Sequence, residues 1–136
     1  MYQSIQGNLG FGKALEYFTS HNITVAIPLN DTQKYDLVAD FDSKLQRISV
    51  KTSRFTRNGT VYEVMLKNCG GTSKGSKIRA FDNTTCDYIF IVTGNDKIYL
   101  IPANVITATN SINVGNKYTE YEVFPLKLSE FTNEEE

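Results

Sequence analysis

Two runs of strand-forming residues joined by a short turn constrain the fold of this chain more than any other feature. Residues 35–41 and 45–53 are rich in β-branched, aromatic and aliphatic side chains, which favour extended strands. Asp42 and Ser43 between them are typical turn residues. The sequence therefore predicts a β-hairpin around which the rest of the chain is organised.

Side-chain alternation along this hairpin brings opposite charges together. Arg47, Ser49 and Lys51 share one face of the second strand, because successive side chains point to opposite faces. Asp36 and Asp40 share a face of the first strand, so the hairpin can bring one of these acids towards Lys51. An acid and a lysine on apolar strands cost free energy unless they serve each other or a ligand. The pair is either a structural ion pair at a sheet edge or part of a binding site.

Hydrophobic periodicity predicts one helix followed by further strands. Phe11, Leu15 and Phe18 recur at helical spacing, and Asn8 can cap a helix over residues 9–21. The later segments are predicted as strands at residues 23–29, 60–66, 87–93 and 97–102, a short helix at 103–109, a loop at 111–116 and a strand or extended arm at 118–124. This order predicts an α/β sandwich with a central mixed sheet.

Length and composition indicate one globular domain. The chain has 136 residues, of which 40% are hydrophobic, so we expect a single domain over residues 1–136 with frayed ends at 1–6 and 129–136. No apolar run reaches the roughly 20 residues of a membrane span, and no signal peptide is visible. Cys69 and Cys86 are too far apart for a metal motif or a disulfide framework, which favours buried thiols. The expectation is an intracellular, cytoplasmic protein.

The distribution of charge predicts a nucleic-acid partner, although the formal net charge is only −1. Between Lys44 and Phe81, Glu63 is the only acid among nine basic residues. A plain solvated surface mixes both signs, whereas a one-sided basic segment is typical of a phosphate-binding surface. The residues expected to contact DNA phosphates are Arg54, Arg57, Lys67, Lys74, Lys77 and Arg79. Residues 67–76 within this segment are predicted to form a flexible basic loop.

The hairpin and its surroundings resemble the PD-(D/E)XK nuclease superfamily. The motif is Asp36 followed, thirteen positions later, by Ser49-Val50-Lys51. The similarity extends from residues 7–10 through Ile27-Pro28 and Asp87-Tyr88 to residues 97–102. Within the superfamily the chain is similar to the group I intron-associated homing endonucleases, which resemble archaeal Holliday junction resolvases. The resemblance implies a restriction-endonuclease-like α/β core, in which a central mixed β-sheet is flanked by helices.

The resemblance also implies metal-dependent hydrolysis of DNA. Asp36 would be the main ligand of Mg²⁺, with Mn²⁺ as a substitute, and the carbonyl of Val50 would assist. Lys51 would position the attacking water or stabilise the charge that develops on the phosphate. The chain departs from the family in two places. Ser49 stands where most members have Glu or Asp and the homing group has Gln, and Phe11 stands where the family has a helix glutamate.

Three classes of function remain compatible with the sequence. The first is a Mg²⁺-dependent DNA endonuclease of the homing or junction-resolving type, and the second is a catalytically silent nuclease-fold protein that binds DNA. The third is a protein–protein module whose basic loop is incidental. Separately, we expect Glu16 to lie on a solvated helix face and not to replace the missing helix glutamate. Because cutting two strands generally needs two active sites, an endonuclease is expected to be a homodimer or a higher homo-oligomer.

Overall fold

The computed structural model describes residues 2–30, 32–70 and 77–131. In these ranges one α-helix, α1 (Tyr2–Ser20), precedes ten strands. The strands are β1 (Val25–Ala26), β2 (Leu37–Phe41), β3 (Lys44–Ser53), β4 (Tyr62–Met65), β5 (Asn68–Gly70), β6 (Lys77–Arg79), β7 (Tyr88–Thr93), β8 (Ile98–Pro102), β9 (Ser111–Val114) and β10 (Glu122–Val123). Short 3-10 helices occupy Ala103–Val105, Thr119–Tyr121 and Leu128–Glu130. Residues 132–136, which are most of the predicted frayed C-terminal end, lie outside the described ranges. Within the described ranges, no helix is long and apolar enough to span a bilayer.

Six strands form the predicted central mixed sheet, in the order β1-β2-β3-β7-β8-β10. β3 and β7 run parallel, and all other neighbours are antiparallel. The predicted hairpin is β2–β3, whose turn residues Asp42 and Ser43 have φ values of +54° and +70°. Two successive positive φ angles match the right-handed twist of hairpin strands. The structure therefore confirms the predicted hairpin and its turn at Asp42 and Ser43.

Helix α1 packs across one face of this sheet. Phe18 is fully buried against Leu37 and Phe90, and the rings of Phe18 and Phe90 lie 5.8 Å apart. Phe11 and Leu15 are half-buried in the same core. Full burial of one such side chain contributes about 1.5–3 kcal/mol. The predicted packing of the helical stripe on the sheet is confirmed.

The helix begins earlier than its sequence pattern predicts. Asn8, which we expected to cap a helix from residue 9, lies inside α1, so that prediction is wrong. The three glycines in residues 7–12 conceal the true start, because each lowers helix propensity by about 1 kcal/mol. Tertiary contacts offset this cost. The amide of Gln6 donates to the hydroxyl of Thr52 at 2.7 Å, and Gly10 lets the helix approach the same side chain.

Helix α1 ends at Ser20, close to the end predicted from the sequence. Asn22 has a left-handed φ of +58°, and the following amide donates back to the carbonyl of Phe18 at 2.8 Å, which terminates the helix. Nε2 of His21 lies 2.8 Å from the carbonyl oxygen of Phe124. This contact joins the helix end to the C-terminal segment. Residues 2–6, where we expected fraying, are helical.

A two-stranded ribbon, β4–β9, covers the opposite face of the sheet. Its inner residues Val64 and Val114 are fully buried in a second core with Ile89 and Ile91. Among the described residues this ribbon, and not a second α-helix, lies on that face. The predicted loop at residues 111–116 is therefore wrong over β9, which is a strand because it pairs with the distant β4.

The predicted basic loop at residues 67–76 is partly a hairpin. Its first part, β5, pairs antiparallel with β6, and backbone pairing of this kind overrides the weak strand propensity of a Gly-rich segment. Residues 71–76 lie outside the described ranges. At residues 118–124 the chain forms a 3-10 turn and then β10, which pairs with β8 as an edge strand.

Candidate active site

The hairpin brings Asp36 to the edge of the strand that carries Ser49, Val50 and Lys51. The amide of Asp36 donates to the carbonyl of Ile48 at 2.8 Å. Oδ2 of Asp36 accepts a hydrogen bond from the backbone N–H of Val50 at 2.6 Å. A charge-assisted bond of this kind is stronger than a neutral one, so it fixes the carboxylate beside β3.

The same edge offers oxygen ligands for a metal ion. The N–H and C=O of one strand residue leave the strand on the same edge, so the Val50 carbonyl lies on the edge that faces Asp36. No cluster of three or more His, Cys, Asp or Glu side chains suited to a metal occurs in the described ranges. Mg²⁺ keeps several waters and needs only one or two carboxylates. A single carboxylate with a neighbouring carbonyl oxygen therefore fits Mg²⁺.

Ser49 and Lys51 lie on the face of β3 that points away from helix α1. Ser49 is buried and Lys51 is half-buried, and their neighbours on β7 are Ile89 and Ile91, both fully buried. Burial lowers the pKa of Lys51, and the negative charge of Asp36 opposes this shift. The ammonium group is thus partly desolvated and is attracted by the Asp36 carboxylate.

Cys86 lies buried beside these charged groups. Burial raises the pKa of its thiol to about 11, against a smaller opposing effect of Arg47 and Lys51. The thiol is therefore protonated at neutral pH and lines the site as an apolar group. This matches the expectation of a buried thiol, whereas the side chain of Cys69 lies outside the described part of the chain.

An ion pair that the sequence analysis missed lies at the other end of this strand face. Nε of Arg47 donates to Oδ2 of Asp87 at 3.1 Å, and the backbone N–H of Arg47 donates to the same oxygen at 2.7 Å. The Arg47 side chain lowers the pKa of Asp87. The positive charge of Arg47 is therefore balanced by the Asp87 carboxylate within the fold. The pairing follows from the parallel register of β3 and β7, for which the local sequence carries no signal.

Helix α1 reaches the site strand with an apolar residue where the resemblance implies a glutamate. Gly10 lies so close to β3 that a Cβ there would be 3.4 Å from Cγ1 of Val50. Phe11, the next residue, is half-buried in the core between helix and sheet. Glu16 is exposed, as expected for a solvated helix face. The described part of α1 therefore brings no carboxylate to the site from position 11.

The predicted phosphate-binding residues fall into two groups on either side of β4. Arg54 and Arg57 are exposed in the connection from β3 to β4. Lys67 is half-buried after β4, and Arg79 is exposed on β6, where it pairs with the residue that follows Lys67. Lys77 lies on β6, but its side chain and the whole of Lys74 are outside the described residues.

Comparisons with known proteins agree with this architecture. Residues 1–123 match the profile of a family described as PD-(D/E)XK endonuclease. The fold is similar to that of a bacterial homing endonuclease, I-Ssp6803I, with a TM-score of 0.73, 19% sequence identity, and coverage of 88% of this chain and 87% of that chain. No curated protein matches the sequence. The structural likeness confirms the restriction-endonuclease-like fold, and the profile match covers most of the sequence. The chain therefore belongs to the PD-(D/E)XK endonuclease family.

Proposed function

We propose that this protein is a Mg²⁺-dependent DNA endonuclease of the homing or junction-resolving type. The observation that carries the proposal is the Asp36 carboxylate, which is held by the Val50 N–H at 2.6 Å and attracts the partly desolvated Lys51. Membership of an endonuclease family favours an active site over a structural ion pair for this arrangement of an acid and a lysine. The similarity to a bacterial homing endonuclease favours the homing type.

Each residue of the site has a separate role. Asp36 and the carbonyl of Val50 would hold Mg²⁺, or Mn²⁺ as a substitute, and the bound ion supplies the charge that polarises the phosphate and activates water. Lys51 stabilises negative charge as it develops on the phosphate, where a desolvated cation has its largest effect. Ser49 offers a neutral hydroxyl at the position of the family's second acid.

The substrate is DNA, which the basic segment would bind through its phosphates. The proposed contacts are Arg54, Arg57, Lys67, Lys74, Lys77 and Arg79. If about five phosphates are neutralised, the logarithm of the binding constant falls with the logarithm of salt concentration with a slope of roughly −4 to −5. Cleavage of both strands generally needs two active sites, so the proposal includes a homodimer or a higher homo-oligomer. It also includes an intracellular, cytoplasmic location, where the protein meets DNA.

Cleavage of supercoiled plasmid and of four-way-junction DNA tests the proposed activity. The pure protein should cut with Mg²⁺ and stop when EDTA is added. Lys51→Ala should slow cleavage by roughly 10²–10³-fold and leave DNA affinity nearly unchanged, because one charge is a small part of the phosphate-binding surface. Lys97→Ala, which removes an exposed turn lysine, is the matched control. Cleavage that persists in EDTA would contradict metal dependence.

A catalytically silent DNA-binding protein is the alternative. Ser49 and Phe11 favour it, because Ser49 replaces the family's Glu, Asp or Gln and Phe11 replaces its helix glutamate. Ser49→Gln restores the ligand of the homing group and should maintain or raise the rate of DNA cleavage. Phe11→Glu restores the helix acid but places a charge in a half-buried core, so its unfolding must be measured in parallel. If the wild-type protein binds DNA with a steep salt dependence but cuts no substrate with Mg²⁺ or Mn²⁺, the alternative is correct. If the protein shows no salt-dependent binding to DNA, the protein–protein module is favoured instead.

A further inference from the structure

The ribbon β4–β9 presents a polar outer face. Its inner side chains, Val64 and Val114 among them, are fully buried. The outer row consists of Glu63, Met65, Ser111 and Asn113. Glu63 lies directly opposite Asn113, so a carboxylate and an amide occupy adjacent positions on this face.

Glu63 is held in place by hydroxyl groups on two sides. The hydroxyl of Ser111 donates to Oε2 of Glu63 at 3.2 Å. The hydroxyl of Ser53, two residues beyond Lys51, donates to the Glu63 carbonyl and attaches this part of the ribbon to the site strand. On the phosphate-binding surface proposed above, this carboxylate would repel phosphates, so its partner in DNA would be a hydrogen-bond donor.

Cationic, aromatic and amide side chains lie around the Glu63 carboxylate. A polar concavity of about 290 Å³ lies against Glu63, with Phe55, Arg57 and Asn113 in its wall. Phe55 is 60% exposed. Arg57 precedes β4 and Lys67 follows it, so cations lie at both ends of the strand that carries the acid. Cations at the ends and hydrogen-bonding groups between them match the phosphates and base edges of a DNA groove.

We infer that the outer face of β4–β9 lies in the major groove of DNA and that Glu63 recognises cytosine by accepting a hydrogen bond from its N4 amino group. The major groove admits a two-stranded ribbon, and Glu is a standard acceptor for this amino group. Asn113 lies where its amide can read the neighbouring base, for which adenine is the usual partner. The inference rests on the proposed function, because it assigns the base-reading element of the same DNA-binding surface.

Selection of bound sequences from a randomised duplex pool, in EDTA to prevent cleavage, tests this inference. The wild-type protein should select cytosine at a position that Glu63→Gln no longer specifies, with a loss of preference of about tenfold. Preferences at the other positions should stay unchanged. Asn113→Ala should relax an adjacent position by a similar factor. Glu120→Gln, which neutralises an exposed acid on a 3-10 turn, is the matched control and should leave every preference intact.

The outcomes separate this inference from the proposed function. If Glu63→Gln binds every sequence more tightly but keeps all base preferences, Glu63 acts only as a repulsive charge and the inference is overturned alone. If the wild-type protein binds no DNA, the proposed function is overturned and the inference with it. Because glutamine has nearly the shape of glutamate and the site is exposed, unfolding of the variant is not expected. A circular dichroism melt matched to wild type confirms this.

Discussion

At Gly10, helix α1 packs closely on the site strand β3. A Cβ at this position would overlap the γ-methyl of Thr52 and lie 3.4 Å from Cγ1 of Val50. Thr52 cannot easily turn its methyl aside, because β-branched side chains are stiff at χ1. In addition, the hydroxyl on the same carbon accepts the Gln6 amide at 2.7 Å. The contact therefore resists a larger side chain.

Gly10→Ala combines a local gain with a packing cost. Alanine favours a helix by about 1 kcal/mol relative to glycine, whereas over-packing a close contact costs about 1–3 kcal/mol. The net expectation is a loss of about 0–2 kcal/mol of unfolding free energy. A Cβ at Gly7 or Gly12 would have no neighbouring atom within 4 Å. Gly7→Ala and Gly12→Ala are thus matched controls, and each should gain about 0.5–1 kcal/mol.

Urea unfolding at neutral pH measures these differences. The midpoint of Gly10→Ala should fall below that of both controls, with an unchanged slope, since the surface exposed on unfolding is the same. Cleavage should fall as well, because Val50, which the new methyl contacts, also holds Asp36. If Gly10→Ala stabilises the protein as much as Gly7→Ala, the helix does not pack on Thr52 as described and the reasoning is refuted.

Two further predictions concern groups beside the site. Burial raises the pKa of the Cys86 thiol to about 11, so in a Cys69→Ser background Cys86 should react slowly with iodoacetamide at about pH 8. We expect alkylation of the folded protein to be at least about tenfold slower than alkylation in urea. Rapid alkylation of the folded protein would contradict this. Asp87→Asn removes the negative charge that pairs with the Arg47 guanidinium but keeps an oxygen that can accept its N–H groups. Because the pair is about one-third exposed, we expect a loss of only about 1 kcal/mol near pH 7 in urea unfolding. The folded state lowers the pKa of Asp87 from 3.8, so this contribution is present above that value and is lost as pH falls through the lower folded pKa. The stabilities of wild type and variant should converge there, and equal stability already at neutral pH would show that the pair contributes nothing.

The elements that the sequence predicts well are those fixed by local chemistry. Asp42 and Ser43 set the hairpin turn, and the turn sets the register in which Leu37 lies opposite Ile48. That register alone places Asp36 beside the strand that carries Lys51. The two central residues of the site are therefore brought together by a pattern that lies within twenty consecutive residues of the chain, 35–54.

The elements that the sequence predicts poorly depend on distant partners. β9 has only two inward apolar residues, Ile112 and Val114, and it is a strand because β4 pairs with it. The start of helix α1 depends on the contact between Gln6 and Thr52, which outweighs the glycines. The bond from the Arg47 backbone to Asp87 requires the parallel register of β3 and β7. Local patterns contain none of these long-range contacts.

The central claim is that Asp36 holds the metal ion at which DNA is hydrolysed. The most direct test compares initial cleavage rates of wild type, Asp36→Asn and Asp42→Asn on supercoiled and four-way-junction DNA with Mg²⁺. Asparagine at position 36 keeps an oxygen for the Val50 N–H but is a poor ligand for a hard cation. Asp42 is an exposed turn residue with a φ of +54°, a conformation that asparagine tolerates, so its variant is the control.

Wild type and Asp42→Asn should cut at equal rates, and Asp36→Asn should cut slower by roughly 100-fold or more, while all three bind DNA. Cleavage by Asp36→Asn at the wild-type rate would contradict the claim and place the active site elsewhere.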